Sequence, residues 1–257
     1  MGRQSPEEAL GALFSALTPK QKATLVEMAE ALLREVHSEV NPKSDICTQA
    51  FANEFQDRLS LYHARNDEPL NKKTFEYAFV KASMAAGRKA VIDDSPVNPG
   101  TDVVVDGTCF SLKTEASHEI RNETITISKL MEARWIRECR TGSDFVRGTK
   151  AKIYTHLKQY ERIIMLRAFA VSEPKRGFRY DLAEIPLDLL KRINSLRADD
   201  FSPRTPNGTS NAGIYDGEAK LFALRLDGSV EKVTISGLRV DKCITHGSWT
   251  VFLKDTD

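Results

Sequence analysis

The sequence contains few of the features that define several common classes of protein. Its four cysteines, Cys47, Cys109, Cys139 and Cys243, are far apart and form no CxxC or Cys/His spacing, so neither a zinc site nor a disulfide framework is indicated. The N-terminus has no apolar signal segment, and no stretch approaches the length of a membrane span. We therefore expect a cytoplasmic protein with reduced thiols and no membrane partner.

The sequence also has no glycine-rich phosphate loop, no internal repeat and no Ser/His/Asp constellation. Its net charge of +1 does not by itself indicate a polyanionic partner. The distribution of charge is more informative, because residues 1–70 hold eleven acids against seven Lys and Arg, whereas residues 129–162 hold nine Lys and Arg against four acids. A basic region of this kind would suit a nucleic-acid-facing surface, although a solvated helix face is an equally good interpretation.

With 257 residues, 41% of them hydrophobic, the chain can bury a sizeable core as one large domain or two small ones. Helical signals dominate its first part. Ser5 and Thr18 each begin a helix with a capping motif, and the second helix is predicted to continue to Asn41. A third helix is predicted over 45–63, with His63 at the surface.

A fourth helix is predicted over 71–86, with Phe75 on its buried side and Gly87 as its C-terminal stop. Glu76 lies about 100° round the helix from Phe75 and could look toward the segment that follows. An exposed helix glutamate is the simpler interpretation. A polar, turn-forming connector is predicted over 93–96.

The most informative stretch is 98–115, NPGTDVVVDGTCFSLKTE. An Asn-Pro-Gly bend opens it, and Asp106-Gly107 separates two runs rich in β-branched and apolar residues. Asp-Gly supplies the positive φ angles that a two-residue hairpin turn demands. This turn predicts a β-hairpin in which Asp102 lies opposite Ser111.

One face of this hairpin gathers chemically useful side chains. Asp102, Lys113 and Glu115 should point the same way, because cross-strand partners share a face and side chains alternate along a strand. Carboxylates hold hard divalent cations, and a lysine near a scissile phosphate can orient the attacking water, so the set suits metal-assisted phosphodiester hydrolysis. Ser111 cannot supply a charged ligand, so either another carboxylate is recruited, with Glu115 and Glu76 as the candidates, or the site is inactive. On spacing alone, a solvent-exposed hairpin face is the simpler interpretation.

The middle of the chain has an α/β order. The predicted elements are a strand over 123–127, a helix from Ser128 to about Arg140, a turn-rich link over 141–150, a basic helix over 151–159 and a strand over 162–171. The last of these, RIIMLRAFAV, is almost continuously apolar, as expected of a central strand covered on both faces.

The C-terminal part is predicted to contain a strand over 179–184, a helix over 186–196, a long loop over 199–213 and further strands with a turn at Asp227-Gly228. Loops of this length are usually functional or disordered, and Arg204 in its middle could order against a nucleic acid. A mobile surface loop is the alternative. His246 could contact a phosphate or serve as a hydrogen-bonded structural histidine.

Taken together, these residues resemble the SmaI-type restriction endonucleases of the PD-(D/E)xK nuclease superfamily. The similarity runs through ordered, separated blocks, which are KKTFEYAF, NPGTDVVVDGTCFSLKTEAS, SKLMEARW, YERIIMLRAFAVSE, EIPLDLL and KCITHGSW. The resemblance implies an αβββαβ core with a mixed sheet flanked by helices. N-terminal helices (1–70) would precede this catalytic core (71–172), and a C-terminal β-rich extension (173–257) would complete it and contact DNA, within one compact domain.

The same resemblance implies a Mg²⁺-dependent homodimer, with Mn²⁺ able to substitute, that cuts both strands of a short GC-rich palindrome. CCCGGG or a related sequence would be the target, and the products would carry a 5′-phosphate and a 3′-hydroxyl. A cognate DNA methyltransferase is expected in the same system, but not as a stable partner.

Asp102 and Lys113 stand at the family's motif positions, and Glu76 and Glu115 also match. The resemblance implies that Asp102 binds Mg²⁺, that one glutamate and the main-chain carbonyl of Leu112 complete the ligands, and that Lys113 positions the attacking hydroxide. The predicted DNA contacts are Arg134, Arg137, Arg140, Lys150, Lys152, Arg204 and His246.

Two other functions stay open from the sequence. A strand-nicking endonuclease similar to MutH shares the core and a similar LKT sequence, but would act as a monomer. A catalytically silent DNA-binding relative is the second, since Ser111 replaces the motif acid.

Overall fold

In the part of the chain that the structure describes, seven strands form a mixed sheet and four more form a separate antiparallel sheet, with helices packed against the larger one. The computed structural model describes residues 5–93, 100–117 and 120–254. The predicted connector over 93–96, apart from Asp93, and the bend at Asn98-Pro99 lie outside these ranges.

The helices in the described ranges are α1 (Pro6–Ala16), α2 (Pro19–Leu32), α3 (Gln49–His63), α4 (Lys72–Ala85), α5 (Gly142–Gly148), α6 (Tyr154–His156) and α7 (Leu187–Lys191). A π-helical turn, Thr149–Ile153, joins α5 to α6. Short 3-10 segments cover Arg134–Glu138, Arg192–Ser195, Ala198–Asp200 and Val240–Lys242. None of the helices described is long and apolar enough to cross a membrane.

The strands are β1 (Val36–Val40), β2 (Ala90–Ile92), β3 (Val103–Val105), β4 (Thr108–Glu115), β5 (Thr124–Glu132), β6 (Arg162–Val171), β7 (Gly177–Glu184), β8 (Thr209–Asp216), β9 (Ala219–Asp227), β10 (Lys232–Arg239) and β11 (Ile244–Phe252). The larger sheet has the order β1-β11-β7-β6-β4-β3-β2, and the smaller has the order β5-β10-β9-β8. β4 and β6 pair in parallel, whereas the other pairs are antiparallel.

β6 is the central strand that its apolar sequence predicts, and it has the predicted bounds. Its side chains alternate between two cores. Ile163 and Met165 pack into the core shared with the smaller sheet, while Ile164 and Leu166 pack into the core shared with α3 and α4. A strand buried on both faces fixes the position of its parallel neighbour β4, which carries the hairpin residues of interest.

The αβββαβ order is confirmed, but one of its strands differs from the prediction. The larger sheet takes its three strands before the second helical part from β2, β3 and β4, and β6 follows the helical stretch 142–156. The predicted third strand, at 123–127, is instead the start of β5 in the smaller sheet. β2 was missed because three residues are too few to show an alternating pattern.

The N-terminal region differs from the prediction at two places. α2 ends at Leu32 instead of Asn41, and residues 36–40 form β1 at the edge of the larger sheet. His63 is only 3% exposed, so its predicted surface position is wrong. Its Nε2 lies 2.8 Å from the Tyr180 hydroxyl, which also accepts a hydrogen bond from the Leu70 amide at 3.2 Å.

The predicted helix from Ser128 is also wrong. β5 continues to Glu132, pairs with β10 and is followed by a short 3-10 segment over 134–138. The link predicted over 141–150 contains α5, which begins at a capping box formed by Thr141 and Asp144.

The C-terminal elements agree better with the prediction. β7 and α7 lie within two residues of their predicted starts, and the turn after Asp227 joins β9 to β10. The long loop is shorter than expected, because β8 already begins at Thr209. β7 and β11 complete the larger sheet, while β8, β9 and β10 join β5 in the smaller one.

Candidate active site

The hairpin that carries the predicted site has the predicted register. Val103 pairs with Phe110 and Val105 with Thr108, and the turn residue Gly107 has a φ of 87°, as a two-residue hairpin loop requires. Val103, Phe110 and Leu112 are fully buried in the core beneath α4. The alternate side chains of β4 therefore face the opposite side of the sheet.

Asp102, the residue immediately before β3, lies beside Lys113 of β4. Nζ of Lys113 is 3.7 Å from Oδ2 of Asp102 and donates a hydrogen bond to the Ser111 hydroxyl at 2.8 Å. Ser111 donates in turn to Oδ2 of Asp102 at 3.2 Å, and the Leu112 amide donates to the same oxygen at 2.6 Å. Both charged side chains keep some solvent contact, with 13% of Asp102 and 14% of Lys113 exposed.

The N-terminal part of α4 adds two more charged groups, Lys72 and Glu76. The Asn71 side chain accepts a hydrogen bond from the Thr74 amide and so caps the helix next to the hairpin. Nζ of Lys72 lies 2.6 Å from Oδ1 of Asp102 and 3.4 Å from Oε1 of Glu76. Glu76 therefore belongs to the same cluster as Asp102 and is only 16% exposed.

Burial perturbs the protonation of this cluster. It lowers the pKa of Lys113, although the neighbouring Asp102 carboxylate acts in the opposite direction. It raises the pKa of Glu76, although the Lys72 ammonium opposes this. For Lys72, burial alone would lower the pKa, but Asp102 and Glu76 outweigh burial and raise it. Perturbed groups that meet at an open cleft are typical of catalytic sites.

An open cleft of about 1110 Å³ lies in front of these groups. Its lining residues are Lys72, Gly100, Asp102, Lys113 and Thr114 from the elements above, Ser128, Lys129, Leu130, Met131, Glu132, Arg134 and Trp135 from β5 and the segment after it, and Ala151, Lys152, Thr155, His156 and Gln159 from the helical stretch. Of the charged lining residues that the structure describes, five are basic and two are acidic, which favours a polyanion in the cleft.

Glu115 lies outside this cleft, although it follows Lys113 on the same strand. Its carboxylate accepts hydrogen bonds from the Arg167 guanidinium at 2.8 Å and from the Thr126 amide at 2.7 Å. Arg167 is 2% exposed, so Glu115 neutralises a buried charge. Of the two glutamates, the structure places Glu76 beside Asp102.

The predicted DNA contacts are spread over several environments. Arg134, with 86% of its side chain exposed, and Lys152 line the cleft. Arg137 pairs with Glu231 at 2.8 Å, and Arg140 donates to the main-chain oxygen of Arg137 at 2.6 Å.

The other three predicted contacts do not line the cleft. Lys150 is exposed on the π-helical turn, and Arg204 is half-buried beside Gly208. His246 is 1% exposed, and its two ring nitrogens contact Ser44 at 2.7 Å and Glu184 at 2.9 Å. A phosphate would have to displace one of these partners to reach the His246 ring.

His246 belongs to a second group of metal-binding residue types, with Asp45 and Glu184. The Arg162 guanidinium donates to both Asp45 oxygens, at 2.6 and 2.9 Å, and to Glu184. A cationic side chain therefore already neutralises these two carboxylates. The cluster ties β6, β7 and β11 to the segment before α3.

Sequence reasoning missed several residues of the cleft. Lys72 could have been found from its spacing, because it lies one helical turn before Glu76. Lys129 and His156 carried no local signal. Nε2 of His156 lies 3.0 Å from the main-chain oxygen of Leu130, and burial lowers the pKa of the ring. His156 therefore holds the helical wall of the cleft against β5.

An αβββαβ core with an acid and a lysine across its hairpin, open to a basic cleft, is the architecture of a PD-(D/E)xK nuclease. The family model for SmaI, described as type II site-specific deoxyribonuclease, matches residues 11–251. The chain is also 32% identical over 256 residues to the type II restriction enzyme SmaI of Serratia marcescens. The aligned region covers 97% of this chain and 98% of that relative. No solved structure matches.

The chain therefore belongs to the SmaI family of type II site-specific deoxyribonucleases. DNA is its substrate, and the family implies a divalent metal cofactor.

Proposed function

We propose that this enzyme is a Mg²⁺-dependent homodimer that cuts both strands of a short GC-rich palindrome, CCCGGG or a related sequence, and leaves 5′-phosphates and 3′-hydroxyls. The observation that carries the proposal is the contact between Asp102 and Lys113 at the mouth of a basic cleft. The kind of target, the ends and the dimer follow from the family resemblance. Mn²⁺ is expected to replace Mg²⁺.

The residues of the cluster fit a hard divalent cation. Asp102 and Glu76 offer carboxylate oxygens close enough to share one ammonium group, and such oxygens are the ligands that Mg²⁺ prefers. In a strand, the amide and carbonyl of one residue point to the same side. Since the Leu112 amide points at Asp102, the Leu112 carbonyl oxygen points to the same side and is the proposed third protein ligand.

A divalent cation held there would stabilise the charge that develops on the phosphate and lower the pKa of a bound water. Lys113 has the position and environment to orient the attacking water, because its ammonium is fixed by Ser111 and Asp102. Its lowered pKa also favours proton transfer. Glu115 has no place in this mechanism, because it is engaged with Arg167.

Arg134 and Lys152 are the strongest of the proposed DNA contacts, because both line the cleft. Arginine reads guanine by two hydrogen bonds to O6 and N7 in the major groove, which suits Arg134 to a GC-rich site. Lys152, on the helical wall, suits a phosphate contact. Arg137, Arg140, Lys150, Arg204 and His246 would require a change of partner or a more distant part of the duplex.

Alanine at Asp102 or Lys113 is expected to reduce plasmid cleavage on the order of a thousandfold or more. Duplex binding, measured by fluorescence anisotropy, should stay detectable for both variants. Comparing Glu76→Gln with Glu115→Gln tests which of the two glutamates is needed for cleavage and which for stability.

We expect Glu76→Gln to lose cleavage with little change in melting temperature. Glu115→Gln should instead lower stability, on the order of 3 kcal/mol, because it leaves the buried Arg167 charge unpaired. Full cleavage by both the Asp102 and Lys113 variants would reject the proposed site.

A further inference from the structure

The Lys72 ammonium lies where two carboxylates converge. It is 2.6 Å from Oδ1 of Asp102 and 3.4 Å from Oε1 of Glu76, and it lines the same cleft. These are the two carboxylates to which the proposed function assigns the metal. The Lys72 ammonium and a divalent metal ion would therefore compete for the same carboxylate oxygens.

Among the described residues, the charges of this cluster sum to zero. Asp102 and Glu76 contribute two negative charges, and Lys72 and Lys113 contribute two positive charges. Adding a divalent cation beside both ammonium groups would leave the cluster with a large positive excess at short range, which Coulomb repulsion opposes. One of the lysines must move away for a metal to bind well.

Lys72 is the lysine that can move. Its side chain is 44% exposed, whereas that of Lys113 is 14% exposed and is held by the Ser111 hydroxyl. A lysine has a flexible four-carbon stem, so its ammonium can swing several ångströms without moving the helix. Since Lys72 lines the cleft, the new position of its ammonium would lie against bound DNA.

We propose that Lys72 is an internal counter-ion that competes with the divalent metal for Asp102 and Glu76 and, once displaced, pairs with a backbone phosphate in the cleft. This rests on the proposed function and adds a residue to it. Lys72 then couples the two ligands, because metal binding frees a cation for DNA and DNA draws that cation away from the metal site. Such a coupling is reciprocal.

The first test measures metal binding without DNA. The free Mn²⁺ signal in electron paramagnetic resonance gives the affinity of the wild-type protein and of Lys72→Gln, Lys73→Gln and Asp102→Ala. Lys73 is the matched control, since it is an exposed lysine on the same helical turn. We expect Lys72→Gln to bind Mn²⁺ about fivefold tighter, Lys73→Gln to match the wild type, and Asp102→Ala to lose binding.

Unchanged or weaker Mn²⁺ binding by Lys72→Gln, together with its loss in Asp102→Ala, would overturn the role of Lys72 and leave the proposed metal site standing. Full Mn²⁺ binding by Asp102→Ala would overturn both. Melting temperatures of all variants verify that each is folded.

The second test measures DNA binding in a Lys113→Arg background, which keeps the positive charge beside Asp102 but holds it on a guanidinium that does not give up a proton to assist cleavage. Mn²⁺ should strengthen binding to a CCCGGG duplex more in Lys113→Arg than in the double variant Lys72→Gln/Lys113→Arg, by several-fold. An equal strengthening in both proteins would contradict the proposed phosphate contact.

Discussion

Ser111 is the residue at which this active site departs most from the motif of its superfamily. It stands two residues before Lys113, where the motif has an acid, and it is completely buried. Its hydroxyl accepts a hydrogen bond from Lys113 and donates one to Asp102. In the proposed site, a neutral residue here keeps the number of carboxylates at two, with Glu76 of α4 as the second. Ser111 would then position the lysine instead of binding a cation.

Replacing Ser111 by alanine tests this positioning role. A hydrogen bond to a charged group contributes about 1.5–3 kcal/mol, and about 1.4 kcal/mol corresponds to a factor of ten in rate. We expect the single-turnover cleavage rate of Ser111→Ala to fall at least about tenfold, with duplex affinity unchanged. Rapid-quench kinetics and fluorescence anisotropy measure the two quantities.

Ser83→Ala is the matched control for this experiment. Ser83 is 1% exposed and donates to the main-chain oxygen of Phe79 within α4 at 2.8 Å, two turns beyond Glu76. The Ser83→Ala variant loses a buried hydroxyl of the same kind, but Ser83 does not line the cleft. Equal rate losses in the two variants would show that general destabilisation, and not the position of Lys113, explains the effect.

At the scale of elements, local sequence signals were enough to predict the hairpin formed by β3 and β4. Asp106-Gly107 fixes a turn, the turn fixes the register, and the register places Asp102 and Lys113 on one face. The choice between Glu76 and Glu115 could not be read in this way. Arg167 is the direct neighbour of Glu115 across the parallel pair β4 and β6. The sequence predicted β6, but nothing local sets the register of two parallel strands 52 residues apart.

For the segment after Ser128, the local sequence pattern predicted the wrong kind of element. Its mixture of apolar and charged residues favoured a helix, whereas residues up to Glu132 belong to β5. The partner strand β10 lies a hundred residues further along the chain, and their pairing contains register shifts. Tertiary pairing therefore outweighs the local preference. This strand supplies one wall of the cleft, so the wall could not be predicted from its own sequence.

The other wall depends on close packing between α5 and the segment after β5. Gly148 lies against Trp135, and a Cβ on Gly148 would come within 2.1 Å of the indole ring. Alanine favours a helix over glycine by up to about 1 kcal/mol, but forcing apart a packed contact costs about 1–3 kcal/mol. We expect the steric effect to win, so Gly148→Ala should lower the melting temperature and weaken duplex binding by displacing Trp135 from the cleft.

Gly11→Ala provides the comparison for Gly148→Ala. Gly11 lies in α1, and a Cβ there would meet no atom within 4 Å. The same substitution should therefore stabilise α1 slightly or leave stability unchanged in thermal unfolding. A Gly148→Ala protein as stable as Gly11→Ala would show that Trp135 can shift freely, and the cleft wall would then be adaptable.

At the scale of the whole molecule, the described residues of one chain bring Asp102, Glu76 and Lys113 together, and Asp102 and Lys113 line the large cleft. In the mechanism proposed above, one such cluster acts on one phosphodiester at a time. Cutting both strands of a palindrome then calls for two chains related by a two-fold axis, each acting on one strand. A monomer with the same cluster would nick a single strand.

Mixed dimers distinguish these two arrangements. Wild-type chains and Asp102→Ala chains can be co-expressed with different affinity tags and purified by both tags in turn, which selects dimers with one intact cluster. On supercoiled plasmid, we expect these mixed dimers to accumulate nicked circles, while the wild-type enzyme produces linear DNA with little nicked intermediate. Gel electrophoresis over time measures both species.

Failure to recover a doubly tagged protein, together with wild-type chains that only nick the plasmid, would support the monomeric enzyme. Linear DNA formed by mixed dimers as fast as by the wild type would mean that one cluster serves both strands.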